Sequence, residues 1–374
     1  MPDLLQDLAT PALILDLSRL TANLDRMATR GASLGVQLRP HMKTAKCIDV
    51  ARLATKGQAG GITVSTLAEA DYFARAGFTD ILYGVGITPD KLAAVAAVQA
   101  LGAEVILILD SPECAQMVAK RAADLPGPFH FLLEIDSGQH RTGLGPDDAR
   151  VLQCGKILSV SPACTLLGVM THAGHSYDCA SIAAVVEVAE AERGAVVAAA
   201  ECLRAAGLPC PIVSVGSTPT ALYAEHLDGV TEMRPGVFMF GDLFQHSIGS
   251  CALDDLALSV LVSVNAWRDD EGRAMIDAGA LALSLDRGSP DENGDYAFGL
   301  AADLEGQPLP GRPRVRQVNQ EHGFLPGLAA SPGIGQRLRV FPNPACSTAA
   351  QYQQYHVIDQ HGRIIDTWRR TGGW

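Results

Sequence analysis

Short apolar runs alternate with longer segments of helical periodicity over the first two thirds of the chain. The runs that predict strands cover residues 35–43, 61–66, 81–85, 104–110, 129–136, 165–172, 212–216 and 231–234. The helical segments between them cover residues 47–55, 67–76, 89–101, 112–123, 147–158, 181–206 and 219–226. Strands that alternate with helices predict parallel pairing. Eight such strands predict a closed (β/α)8 TIM barrel, with an open, doubly wound sheet as the alternative.

The pattern changes after residue 245, where helical periodicity is almost absent. Apolar runs at 256–264, 275–279, 296–298, 337–340 and 355–358 are separated by turn sequences such as 269–272 and 359–362. We therefore predict an α/β barrel over residues 10–245 and an all-β domain over residues 246–374. An isolated apolar run at 12–17, which precedes a helix capped by Ser18, could bring residues 1–17 into the β domain as a strand.

The composition excludes some classes of partner. The chain has 374 residues, of which 48% are hydrophobic, and this is enough for a large core. A formal net charge of −12 argues against nucleic acid and against an anionic membrane surface as partners. No apolar stretch is long enough to span a bilayer, and the first seven residues have no basic region. The nine cysteines form no CxxC pair, which predicts reduced thiols and a cytoplasmic location.

Candidate chemistry lies at the ends of the predicted strands, where barrels of this type hold their reactive groups. Lys43 ends the first barrel strand, and a partly desolvated lysine there could form a Schiff base with a carbonyl. A surface lysine at a strand end is the alternative. Gly216, Ser217 and Thr218 follow the seventh strand and open a helix, an arrangement that suits a phosphate or that simply caps the helix. A phosphate site together with a strand-end lysine implies pyridoxal 5'-phosphate.

Five motifs in fixed order resemble those of a known enzyme family, at residues 39–44, 134–143, 171–177, 216–220 and 321–323. They are similar to the D-threonine aldolase and D-serine dehydratase family. Its members are fold-type III pyridoxal-phosphate enzymes with an alanine racemase-like barrel. The resemblance runs along nearly the whole chain, from residue 11 to residue 374. It implies that Lys43 carries the cofactor, with Lys46 as the second choice.

The resemblance also implies the other contacts of the cofactor. Arg141 is expected near the phenolic oxygen of the ring, and the ring and phosphate are expected to be held by Tyr177, Gly216, Ser217 and Thr218. The substrate is expected to have a D-configured α-carbon. A homodimer is expected by analogy, since enzymes of this type usually pair head to tail.

The metal site of the family is altered in this chain. The family usually carries Pro-Asn-His-x-Cys or Pro-Asn-His-x-Asp near the C-terminus, where the histidine and the last residue bind a divalent metal. Residues 342–346 are Pro-Asn-Pro-Ala-Cys, so Cys346 is retained but Pro344 stands at the histidine position. A zinc, manganese or magnesium ion would need further donors, and the candidates are His172, His175, His322 and His356. If no metal is bound, Cys346 is expected to be a small buried apolar residue.

We therefore expect a pyridoxal-phosphate-dependent lyase that acts on a D-configured β-hydroxy-α-amino acid. Retro-aldol cleavage would give glycine and an aldehyde, whereas dehydration would give a 2-oxo acid and ammonia. Without a metal, His172, His175 or His322 would supply general acid–base catalysis. The alternatives are a racemase or another metal-independent reaction at the α-carbon, and a pyridoxal-phosphate carrier without turnover. The long β domain argues against the carrier.

Overall fold

The structure, a computed structural model, describes residues 4–58, 60–288, 295–328 and 330–374. The chain divides into two compact units. The barrel unit consists of residues 26–236 and 371–374, and the β unit of residues 1–25 and 237–370. The division falls inside the first helix, α1 (Leu17–Ser33). No helix among the described residues is long and apolar enough to cross a bilayer.

The barrel unit is built on a parallel sheet. After β1 (Ala12–Asp16), which belongs to the β unit, its strands are β2 (Gln37–Leu38), β3 (Ile62–Val64), β4 (Asp80–Gly86), β5 (Glu104–Leu109), β6 (Phe129–Ile135), β7 (Cys164–Thr171), β8 (Ile212–Val215) and β9 (Glu232–Met233). Their order is β2-β9-β8-β7-β6-β5-β4-β3. The ring closes beyond β2, because Thr63 donates its N–H to Pro40 O at 3.0 Å and accepts the Met42 N–H at 2.8 Å. The predicted eight-stranded barrel is confirmed.

The helices of this unit follow the strands almost directly. They are α2 (Ile48–Ala54), α3 (Leu67–Arg75), α4 (Leu92–Gln99), α5 (Pro112–Ala122), α6 (Ala149–Val160), α7 (Ile182–Ala205) and α8 (Thr218–Tyr223). Several begin at a side-chain cap that accepts a backbone N–H of the first turn, from Thr66, Ser111, Asp148, Ser181 or Ser217. Each such cap satisfies one of the N–H groups that a helix start leaves without an intrahelical partner.

The barrel core combines an apolar cluster with a charged network. The apolar cluster consists of Leu82, Ile106, Ile108, Leu132 and Met170. In the network, the buried Arg39 donates to Glu232 at 2.8 Å and to both Asp80 oxygens at 2.5 and 2.9 Å. Burial alone would lower the pKa of Arg39, but the attraction of Glu232 and Asp80 raises it above its usual value. Arg39 therefore ties the segment just before Lys43 to two other strands of the barrel.

The β unit contains a mostly antiparallel sheet in which β1 is an inner strand. Its later strands are β10 (Leu258–Arg268), β11 (Arg273–Ile276), β12 (Leu300–Ala302), β13 (Gln317–Val318), β14 (Gly323–Pro326), β15 (Arg337–Phe341), β16 (Gln354–Ile358) and β17 (Ile364–Arg369). β1 pairs antiparallel with β10 and parallel with β16. Three short helices, α9 (Leu243–Ser247), α10 (Ala280–Leu283) and α11 (Ala345–Ala349), also belong to this unit.

Some predicted elements are wrong in detail. The strand predicted over residues 35–43 covers only Gln37–Leu38, because Pro40 has no N–H for a ladder and residues 42–45 form a turn. No strand covers 296–298, where Ala297 has a φ of 49° and Gly299 a φ of 146°. The next strand, β12, begins at Leu300. β12, β13, β14 and β17 were not predicted.

Candidate active site

Lys43 lies in the turn that follows β2, at the carboxyl end of the sheet. Its neighbours Met42 and Thr44 are fully buried, whereas Lys43 itself is exposed, so the predicted partial burial of this lysine is wrong. Within the described part of the chain, its ε-amine has no hydrogen bond or ion pair. Lys46 differs, since its ammonium forms an ion pair with the buried Glu69 at 2.9 Å. Of the two lysines, Lys43 has the available amine.

His172 follows β7 and is held as a neutral base. Its Nδ1 is hydrogen-bonded to the carbonyl oxygen of Gly216. A carbonyl oxygen only accepts, so Nδ1 carries the hydrogen and Nε2 carries the lone pair. Burial and the nearby charge of Lys43 lower the pKa of His172 to about 3. At neutral pH this ring can therefore accept a hydrogen bond through Nε2, but it is a weak base and has no second hydrogen to donate.

His41 is a second neutral histidine beside the lysine. The backbone N–H of Lys43 donates to its Nδ1 at 3.4 Å. Burial, followed by the charges of Lys43 and Arg234, lowers the pKa of His41 well below its usual value. Two uncharged imidazoles thus lie close to the lysine, where they add no repulsion to its positive charge.

The predicted phosphate loop contains one available hydroxyl. Ser217 Oγ accepts the Thr220 N–H at 3.1 Å and bonds Ser176 Oγ at 2.8 Å, so it is used as the cap of α8. The Thr218 N–H donates to the Tyr177 hydroxyl at 3.3 Å. The buried Thr218 Oγ1 has no hydrogen-bond partner among the described residues. The Gly216 N–H is committed to the Glu192 carboxylate at 3.1 Å, so this N–H has a different role from the predicted one.

Arg141 lies in an exposed loop that two carboxylates, one of them buried, hold in place. Thr142 donates its hydroxyl to Glu134 at 2.8 Å, and Gly143 donates its N–H to Asp110 at 3.0 Å. Burial raises the pKa of Glu134, against the effect of the Thr142 bond. The Arg141 guanidinium itself makes no hydrogen bond or ion pair with any described residue. Its charge is available for an anion.

His175 lies in the same loop as His172 and Tyr177. Its Nδ1 is buried and has no partner in the described chain. The ring packs against Gly138, where an added Cβ would lie 3.5 Å from Nε2. The short loop after β7 therefore carries His172, His175 and Tyr177 at one end of the barrel.

These groups fit pyridoxal phosphate. Lys43 supplies an amine, Arg141 supplies a cation without an ion pair in the described chain, and the Thr218 hydroxyl, which has no described partner, lies beside Tyr177 at the start of α8. All of them belong to the barrel unit and follow parallel strands of one sheet. A phosphate dianion and a phenolic oxygen need such donors.

His322 and Cys346 belong to the β unit. His322 is exposed between β13 and β14. Cys346 is the second residue of α11, and Pro344 directly precedes this helix. The Ala345 N–H, at the start of α11, donates to the Asp242 carboxylate at 2.9 Å. Within the described parts of either unit, no group of three or more His, Cys, Asp or Glu side chains could hold a metal ion.

Comparison with known proteins identifies the family of the chain. The family model "Alanine racemase, N-terminal domain" matches residues 15–243, and "Putative serine dehydratase domain" matches residues 257–358. The chain is 45% identical to D-threo-3-hydroxyaspartate dehydratase of Delftia sp. strain HT23, with 100% of both chains covered. It is 29% identical to D-serine dehydratase of Dictyostelium discoideum, over 100% of this chain and 99% of the other. A solved cysteine-to-alanine mutant of a D-threo-3-hydroxyaspartate dehydratase, in the metal-free form, is 45% identical and gives a TM-score of 0.96 with both chains fully covered.

The fold and these similarities identify a fold-type III pyridoxal-phosphate enzyme. The chain belongs to the D-serine dehydratase and D-threonine aldolase family, and it is a lyase.

Three residues of this site were not predicted from the sequence: His41, Glu134 and Glu192. His41 and Glu134 lie inside motifs that were recognised, at 39–44 and 134–143, but no role was given to them. Glu192 could have been found by periodicity. It is the one acidic residue on the buried stripe of α7, formed by Val185, Ala189, Glu192, Val196, Ala199, Ala200 and Leu203.

The low pKa of His172 predicts a pH effect on stability. The imidazole has a pKa of about 3 in the folded protein and the ordinary value of 6.5 when unfolded. The unfolded chain therefore binds more protons between these values, and stability should decrease as pH falls from 6.5 towards 3. A difference of one bound proton changes the free energy of unfolding by at most about 1.4 kcal/mol per pH unit. Urea midpoints measured between pH 4 and 7 should depend less on pH in His172→Gln. The exposed His361→Gln is the control, and an unchanged slope in His172→Gln would contradict the assignment.

Proposed function

We propose that this enzyme dehydrates D-threo-3-hydroxyaspartate or a closely related D-β-hydroxy-α-amino acid, and releases a 2-oxo acid and ammonia. The observation that carries the proposal is the full-length identity of 45% to a dehydratase of that substrate. The site supports it, because Lys43 has an available amine beside two neutral imidazoles.

Pyridoxal phosphate, when bound, stabilises negative charge that develops at the α-carbon of an amino acid. Lys43 would hold the cofactor covalently and then remove the α-proton. Arg141 would face the phenolic oxygen, and the Thr218 and Tyr177 hydroxyls would contact the phosphate. Arg141 would thus supply a positive charge to the cofactor ring, and the two hydroxyls would supply hydrogen bonds to the phosphate.

The β-hydroxyl of the substrate leaves as water, so a group of the enzyme must donate a proton to it. His172 is a poor donor, because its Nδ1 hydrogen is committed to Gly216 and its Nε2 carries a lone pair. His175 has no such commitment, because its buried Nδ1 bonds to no described residue; its hydrogen can lie on Nε2, so His175 is the better candidate donor of this proton. His172 would accept a hydrogen bond from the substrate or from Lys43 through Nε2. His322 stays a prediction from the resemblance.

The donor set does not fit the metal site that the family usually has. Position 344, where the family has its ligand histidine, is a proline without a ligating side chain, and neither unit provides a group of three metal donors among its described residues. We infer that Cys346 alone does not retain a metal ion, and no step above uses one. The expectations of a homodimer and of a cytoplasmic location stay predictions.

Product analysis tests the proposed reaction. The enzyme, reconstituted with pyridoxal phosphate, should convert D-threo-3-hydroxyaspartate to oxaloacetate and ammonia in equal amounts and should leave the L-enantiomer unchanged. Lys43→Ala should lower kcat by at least about a thousandfold, because it removes both the covalent anchor and the base. Lys56→Ala, which changes an exposed lysine of the same unit, is the control. Glycine with glyoxylate would indicate aldol cleavage instead, and the L-amino acid would indicate racemisation.

Replacement of Pro344 tests the inference on the metal. Pro344→His creates a His-x-Cys pair, and this variant should retain about one zinc or manganese ion per chain after gel filtration. The wild type and Pro344→Ala should retain less than about a tenth of an ion under the same conditions. Metal content is measured by plasma mass spectrometry. A wild-type protein with a full equivalent of metal, and an activity that EDTA removes, would show that other donors compensate.

A further inference from the structure

Glu192 is a buried carboxylate that forms no salt bridge with a described residue, although the charge of Arg234 acts on it. It lies on the inward stripe of α7 and is 1% exposed. No lysine or arginine of the described chain lies within ion-pair distance of it. Burial raises the pKa of its carboxyl group. A charged or polar group that is buried without hydrogen bonds destabilises the fold. The hydrogen-bond partners of Glu192 therefore indicate the role of this residue.

The partners of Glu192 come from two neighbouring strand ends. Its Oε1 accepts the Ala173 N–H at 2.9 Å and the Gly216 N–H at 3.1 Å. The side chain also hydrogen-bonds the Thr220 hydroxyl. Ala173 lies in the loop after β7, and Gly216 lies in the loop after β8. One side chain therefore fixes the loop that carries His172 against the loop that carries Thr218.

Gly216 connects Glu192 to His172. Its N–H is bonded to Glu192, and its carbonyl oxygen accepts the Nδ1 hydrogen of His172. The position has little room for a larger residue, because an added Cβ would lie 3.0 Å from the backbone nitrogen of Arg234, and the Arg234 backbone would have to move by a few tenths of an ångström. A glycine rotates easily when nothing holds it. The bond to Glu192 restricts that rotation and so helps to fix the direction of the carbonyl.

We propose that Glu192 is a positioning residue for the lyase reaction. It holds the Gly216 carbonyl where this oxygen takes the Nδ1 hydrogen of His172, and the Nε2 lone pair then stays available beside Lys43. The inference rests on the proposed function and adds to it a residue that acts only through His172. If Glu192 only filled space, substitutions that keep its volume would leave the activity unchanged, whereas a positioning role requires a hydrogen-bond acceptor at this position.

Two substitutions separate positioning from packing. Glu192→Gln keeps a carbonyl oxygen that can accept both N–H groups, so kcat should stay within about threefold of the wild type. Glu192→Met keeps the volume but accepts no hydrogen bond. Its kcat should fall by about 10- to 100-fold, as is usual for residues that orient a catalytic group, with KM changed less. If Glu192 only fills space, methionine is tolerated as well as glutamine.

The tautomer of His172 gives a second readout. In protein labelled with ¹⁵N-histidine, long-range ¹H–¹⁵N spectra distinguish the Nδ1–H form from the Nε2–H form, and His172→Gln assigns the signal. The Nδ1–H form should dominate in the wild type and in Glu192→Gln, and both forms should appear in Glu192→Met. If the methionine variant does not fold, Glu192→Asp replaces it. Its shorter side chain cannot reach both N–H groups, so the same losses are expected.

Wild-type kcat together with a wild-type tautomer in Glu192→Met, or in Glu192→Asp where that variant replaces it, would overturn the proposal. The spectra need no turnover. A wild-type protein without lyase activity would therefore contradict the proposed reaction, while the spectra would still test the role of Glu192.

Discussion

Buried carboxylates that accept hydrogen bonds from the loops after strands hold this site together. Glu192 binds two backbone N–H groups, Glu69 binds Lys46, and Glu134 binds Thr142. Each of these carboxylates is nearly inaccessible to water. Loss of such an acceptor leaves a buried donor unsatisfied, which costs about 1–3 kcal/mol per group. The loops that carry Lys43, Arg141 and His172 are thus fixed by the fold before any ligand binds.

The local charge of the site differs from that of the whole protein. The chain has a net charge of −12, but Lys43 and Arg141 have no ion-pair partner among the described residues. His41 and His172 are both kept neutral by burial and by the charge of Lys43. The barrel mouth therefore offers two cations, two neutral imidazoles and an unpaired threonine hydroxyl. This combination suits an anionic cofactor and a proton transfer at its imine end.

The fold was largely predictable from the sequence, and the side-chain roles were predictable only in part. Alternating strands and helices gave the barrel, because parallel pairing and helical periodicity are local patterns. Pro40 shortened the first strand, so Lys43 lies in a turn and is exposed. The direction of the His172 hydrogen bond depends on Gly216, 44 residues further on, and no local pattern encodes it. Periodicity could have identified Glu192, but its two partners become visible only in three dimensions.

The central claim is that Lys43 holds the cofactor and that Lys46 does not. Borohydride reduction of the reconstituted enzyme, followed by peptide mass spectrometry, tests this most directly. We expect that the visible absorption of the cofactor bleaches and that one pyridoxyl phosphate group becomes permanently attached to Lys43. A label on Lys46, or a protein that retains no label after reduction, would contradict it.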